Sequence, residues 1–180
     1  MSDSSWVAVG IALVLGFWML GAHNRVVALR MALHQAWAQA EPLLRERLEL
    51  LQGLQASVSD ALTSETQTLA TAREAAATLA SAIAFAAARP AAADAAHAVA
   101  RAEAALSPTQ ARLLALADGL PLPRPAGVDA AARRLRELDA AYGFARQRYN
   151  DAAQAYNDAI QQWPTRALVP VFRFDTAGTL

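Results

Sequence analysis

Three histidines, one glutamate beside an apolar stripe and a set of spaced aromatics are the side chains here that could do chemistry. His23, His34 and His97 are the only histidines. Imidazoles on one helical face can hold a metal ion. His23 and His34 could share a face, but eleven residues of helix put them about 16 Å apart. One ion cannot reach both, so no metal site is expected. Glu-x-x-His pairs, which build di-iron centres in bundles, are absent. Glu41, in AQAEPLL, is either a functional carboxylate or an exposed residue paired with Arg45 one turn on; the pair is the better reading. There is no cysteine, so no thiol nucleophile and no thiolate zinc site. No Gly-rich phosphate loop, HExxH, GxSxG or EF-hand occurs. Catalytic, cofactor-binding and metal-ligating residues are therefore all expected to be none, and the protein is read as not an enzyme.

The aromatics carry the other chemical option. The stretch RYNDAAQAYNDAIQQWP, Arg148 to Pro164, repeats YNDA on a seven-residue beat. Seven residues is close to two helical turns, so equivalent positions share a face. Stepping from Leu135 gives Tyr142, Tyr149, Tyr156 and Trp163; stepping from Leu138 gives Ala145, Ala152 and Ala159. Large residues beside small ones interdigitate with a facing helix. Core packing is the preferred reading; a cage holding a small molecule near Tyr142, Tyr149 and Trp37 is the alternative. Asn150 and Asn157 flank the seam. They are either solvated or hydrogen-bonded to a neighbouring helix, fixing its register. Pro164 lacks an N–H and disfavours helix at Trp163, so the helix is expected to end there.

The elements that must position these residues are helical. The chain is rich in alanine, with eight glycines and eight prolines in 180 residues. All sixteen basic residues are arginine; a GC-rich genome accounts for that without a phosphate site. The net charge is zero, which argues against nucleic acid as a partner. Trp6 to Ala22 is uncharged, flanked by interface-type tryptophans at Trp6 and Trp18, and about 25 Å long as a helix. It reads as an uncleaved membrane helix, because MSDSS lacks the basic residues of a signal peptide. Arg25 and Arg30 follow it and no basic residue precedes it, which places the N-terminus outside and the rest in the cytoplasm.

From His23 an apolar stripe runs without a glycine or proline break to Pro42, which is expected to kink the helix at most. Ser64 and Gln67 have capping-box spacing for a second helix. Arg89-Pro90 reads as a break. The alanine run from Ala91 to Ala105 reads as a thin helix or a low-complexity stretch. Ser107-Pro108 reads as the start of another helix, and Gly119 to Gly127 as a linker before the last. The fold class is all-α: an N-terminal transmembrane helix continuing into an antiparallel bundle of about four helices, with the first and last as full-height partners. The segments are a short extracytoplasmic tail (1–5), the transmembrane helix (6–22), a cytoplasmic bundle (23–164) and a non-helical tail (165–180). After an even number of full-height helices the chain returns to the membrane side and delivers Trp163 and Pro164 there, where an indole suits the bilayer boundary. Val169, Val171, Phe172 and Phe174, with Arg166 and Arg173, then fit a short segment that packs over the bundle end or touches the headgroup layer; Phe172 and Phe174 should lie nearer His23 than Leu51, and one or both should be buried.

Taken together, HNRVVALRMALHQAWAQAEPLLRERLELLQGL and the YND…YND…WP stretch resemble the LemA family of bacterial membrane-anchored helical proteins. The resemblance rests on Asn24, Arg30, Ala36, Trp37, Gln39, Leu44, Arg47, Leu50 and Leu54, then Tyr149, Asn150, Tyr156, Asn157 and Pro164, with Trp163 where the family has Phe. His23 departs from the family's Tyr, Ala40-Glu41-Pro42 from its Ile-Asp-Val, and Gln52-Gly53 from its Pro-Asn. The resemblance implies architecture and a place in the bacterial inner membrane, not an activity. The expected function is a non-enzymatic interaction or scaffolding module on a single-pass anchor. The alternative is a sensor bundle with a small ligand between helices. Partners are the bilayer, through 6–22, and an unidentified protein; self-association is left open.

Overall fold

The computed structural model describes residues 3–163, 165–172 and 174–180. Pro164 and Arg173 lie outside the described residues. Among the described residues the chain forms α1 (Asp3–Val58), a 3₁₀ turn (Thr63–Glu65), α2 (Thr66–Ala88), α3 (Ala93–Asp118), α4 (Val128–Gln161) and α5 (Thr165–Phe172), with no strand. The fold is all-α, as its composition requires.

α1 is one continuous helix of 56 residues, about 84 Å long. Pro42 sits inside it on an exposed turn, while Ala40 and Leu44 stay buried on either side. Packing of that face offsets the lost hydrogen bond. The N-terminal part of α1 is long and apolar enough to cross a membrane. There Trp6, Ile11, Leu13, Val14, Phe17 and Leu20 are all exposed, so the segment is apolar all round. From Val26 onward α1 becomes one-sided. It packs chiefly along α4, while α2 packs along α3. These are the expected full-height partners. Their register is antiparallel: Trp37 meets Tyr149, and Arg47 meets Asp139.

Alanine makes the α2–α3 pair close. Ala72, Ala76, Ala82 and Ala86 face Ala95, Ala96 and Ala102, around Leu79, Ile83 and Val99. The alanine run is thus an ordered, thin helix. One expected helix start is used without its cap, and one is not used at all. α2 begins at Thr66 without a side-chain cap, so the Ser64 box does not form; Glu65 instead accepts from Thr68 and from Arg112 of α3. Those two donors hold the Glu65 carboxyl below its ordinary range. Pro108 does not start a helix, but sits within α3. Leu106 and Gln110 are buried on either side of it, and Thr109 Oγ1 donates to the Leu106 carbonyl in the interrupted turn. The breaks at Arg89-Pro90 and at Gly119–Gly127 occur where expected, and α4 starts behind Gly127 at φ +85°.

The tail corrects the expectation of a non-helical segment over 165–180. Thr165 to Phe172 is helical. Its inward positions, buried Thr165 and half-buried Val169, follow helical spacing and close the bundle end. The expected location of the tail is met. The His23 ring lies 4.5 Å from Phe172 and 5.8 Å from Phe174, and Phe174 is buried. Trp163 lies on the seam line but is 71% exposed, as its expected place at the bundle's membrane end rather than in the core requires. The helix has ended at Gln161, and Trp163 packs 4.7 Å from Trp18 at the foot of the apolar segment.

Candidate functional site

Two polar features are built along α4, one in the core and one on its outer flank. The core feature begins from three polar residues at apolar-stripe positions. On α1, Leu44, Arg47, Leu51 and Leu54 follow the three–four spacing; on α3, Val99, Glu103, Leu106, Gln110 and Leu113 do the same. Arg47 Nη1 donates to Glu103 Oε1 at 2.6 Å and Nε to Gln110 Oε1 at 2.7 Å. Asp139 of α4 lies 3.2 Å from the same Nε and accepts from Gln110 Nε2 at 2.8 Å. Arg47 and Glu103 are each only 7% exposed. Burial pushes the Glu103 carboxyl up, against the pull of Tyr142, Arg47 and Arg146. The Tyr142 hydroxyl is pushed up by burial and by the Glu103 charge, so it stays a neutral donor. It is 4% exposed; the acceptor it faces is the Glu103 carboxylate, with which it does not complete a hydrogen bond of good geometry.

The flank feature explains the repeated YN pair. Ala177 N–H donates to Asn157 Oδ1 at 2.8 Å, and Asn157 Nδ2 donates back to the Ala177 carbonyl at 2.9 Å. Asn150 closes the same two-bond ring with Leu180, at 2.8 and 3.1 Å. A carboxamide offers an acceptor and a donor side by side, so it pairs with one residue's backbone as a neighbouring strand would. Seven residues of helix rise about 10.5 Å, and three extended residues span about 10 Å. The seven-residue beat of the asparagines thus matches a three-residue step of an extended tail. The asparagines are neither solvated nor joined to a neighbouring helix; they hold the chain's own tail.

The tyrosines one residue earlier add carbonyl contacts. Tyr156 donates to the Asp175 carbonyl at 3.1 Å, and Tyr149 to the Pro90 carbonyl between α2 and α3 at 2.7 Å. Burial holds the Tyr149 hydroxyl up at about 12. On its far side the tail lies against α3. A Cβ on Gly178 would come within 2.6 Å of the Ala93 carbonyl oxygen and 2.8 Å of its Cα, so glycine is required by the close approach.

Of the other residues singled out in the sequence, Trp37 is buried, edge-on to Tyr149 at 6.2 Å, and donates Nε1 to Glu41 at 3.0 Å. Glu41 also takes the expected pair with Arg45 at 2.6 Å. Leu50 is half-buried against the core. Asn24 and Gln39 are exposed on α1. Arg30 lines an open cleft of about 530 Å³ with His34, Arg89, Tyr156 and Asp175. Burial and the nearby Arg30 charge hold His34 below its ordinary value. Pro164 lies outside the described residues. Among the described residues no three of His, Cys, Asp and Glu gather to hold a metal ion. The residues missed from the sequence are Glu103, Gln110 and Asp139, and the burial of Arg47. For Arg47, Glu103 and Gln110 the signal was available, a charged or amide side chain at a core position of an apolar stripe; exposed Asp139 carried none.

Among protein families, the LemA family model matches residues 36–180. No curated protein matches the chain.

Proposed function

Because the chain belongs to the LemA family, we propose that it is a non-enzymatic, single-pass protein of the bacterial inner membrane whose bundle is an interaction or scaffolding module. The N-terminal part of α1 crosses the bilayer. The N-terminus lies outside and the bundle in the cytoplasm. Support for the anchor comes from its all-round exposed apolar surface and from Trp18 and Trp163 at its foot. Support for the orientation comes from Arg25 and Arg30, which follow the apolar segment. The observation that carries the module reading is the closed aromatic seam. Tyr149 is fully buried and Trp37 nearly so, leaving no room between them for a ligand.

Affinity purification of the crosslinked, detergent-solubilised protein tests this reading. A discrete partner, absent when the bundle is omitted and only the anchor is expressed, is the expected result. A bundle that captures nothing above the anchor alone would count against it. For the orientation, a reporter active only outside the cytoplasm, fused after Leu180, should be silent; strong activity would reverse the topology.

A second reading, a sensor for a small ligand, draws on one observation. A cleft of about 400 Å³ opens beside Tyr142, outside the closed seam.

A further inference from the structure

The ladder on α4 has a third rung that no described residue occupies. Tyr156 and Tyr149 each give their hydroxyl to a backbone carbonyl. Tyr142 is the next tyrosine on the same seven-residue line; its buried hydroxyl gives its proton to no backbone carbonyl and faces only the Glu103 carboxylate, without completing a hydrogen bond of good geometry. Asn157 and Asn150 are followed on their line by Gly143. With no side chain there, the groove between α3 and α4 widens into the cleft of about 400 Å³. Leu180 stands at its edge, and the direction set by Ala177 and Leu180 runs straight into it. One more three-residue step, about 10 Å, reaches Gly143.

We propose that this cleft is a docking site for an extended peptide segment of a partner protein, whose main-chain carbonyl accepts the Tyr142 hydroxyl. It is continuous with the groove that already reads the tail's backbone. The inference rests on the reading of the bundle as an interaction module and names the partner's chemistry. The lining fits a neutral main chain better than an ion. Arg47 and Arg146 are balanced there by Glu103 and Asp139. The α3 wall presents Ala100 and Ala104, which leave space for a backbone with small side chains and no apolar surface for a large ring. The Ser107 and Arg146 side chains border the cleft and supply further donors.

The test uses the full chain in detergent micelles and a fluorescent, end-capped peptide copying residues 176–180, Thr-Ala-Gly-Thr-Leu. Saturable binding is expected. Tyr142→Phe removes only the hydroxyl and should weaken binding about tenfold, the size of one good hydrogen bond. Ala104→Leu should fill the cleft and abolish binding. Unfolding midpoints near the wild-type value show that both variants are folded. Two results would overturn the proposal even with a partner captured by crosslinking. One is no saturable binding to the wild-type chain. The other is binding insensitive to Tyr142→Phe and Ala104→Leu but raised by Asn150→Ala, which would mean that the peptide only replaces the tail. Competition by acetate as strong as by the capped peptide would assign the cleft to small anions instead and overturn it too. A wild-type chain that binds the peptide but captures no protein would leave the cleft standing and remove the scaffold reading.

Discussion

Glu103→Ala is expected to destabilise the bundle by about 3 kcal/mol, the lower end of the range for breaking a buried pair. The loss comes mainly from what is left behind. Arg47 sits in the core with its guanidinium held by Glu103, Gln110 and Asp139. Without Glu103, one face of a 7%-exposed cation loses its charge partner. Asp139 remains, but its side chain is 41% exposed and so more strongly screened. That remaining partner is why the lower end applies. The counterpart is the double variant Arg47→Met/Glu103→Leu. Replacing both charges with apolar side chains removes the desolvation cost together with the attraction, and should recover most of the lost stability. Thermal or denaturant midpoints of the full chain in detergent decide both. A Glu103→Ala loss below about 1 kcal/mol, the scale of a surface pair, would show that water reaches Arg47. A double variant no better than the single would show that the network sets the register of α1, α3 and α4.

Tyr149→Ala is expected to cost about 3–5 kcal/mol, as truncation of a fully buried aromatic does. The ring fills the space between α1 and α4 against Trp37, and its hydroxyl ties α4 to the turn between α2 and α3. Removing it opens a cavity and also leaves the Pro90 carbonyl without its donor. Asn150→Ala should cost less, about 1–2 kcal/mol, the net worth of two hydrogen bonds. Leu180 is half-exposed, so water can take up the freed groups. That is still more than the roughly 0.5 kcal/mol of an ordinary surface amide, because this amide holds the extended tail. Parallel denaturant curves of the two variants give the ranking. If Asn150→Ala were the worse, the tail would be an integral part of the core rather than a strap along its flank.

The two variants mark where the sequence alone reached its limit. The seam through Leu135, Tyr142, Tyr149 and Tyr156 was legible because helical periodicity is local: 3.6 residues per turn places side chains on a face whatever lies opposite. The same holds for the apolar segment of α1, the Arg89-Pro90 break and the linker before Val128. Even there the local rule is loose: Ala153 rather than Ala152 is fully buried, although Ala145 and Ala159 on either side keep to the line.

What the asparagines hold could be decided only in three dimensions. Asn150 meets Leu180, and Asn157 meets Ala177, through extended backbone that carries no sequence signature of its own. Arg47 finds Glu103 56 positions away, and only the packing of α1 against α3 makes two costly burials compatible. Ser64 marks a helix start that is used, though its capping box does not form. Pro108 carries the same local mark, and tertiary packing overrode it, because a turn fixed by buried neighbours on both sides retains its helix despite one missing bond. Periodicity is a property of the chain with itself over a few residues; partnership is a property of whichever distant surfaces packing brings together.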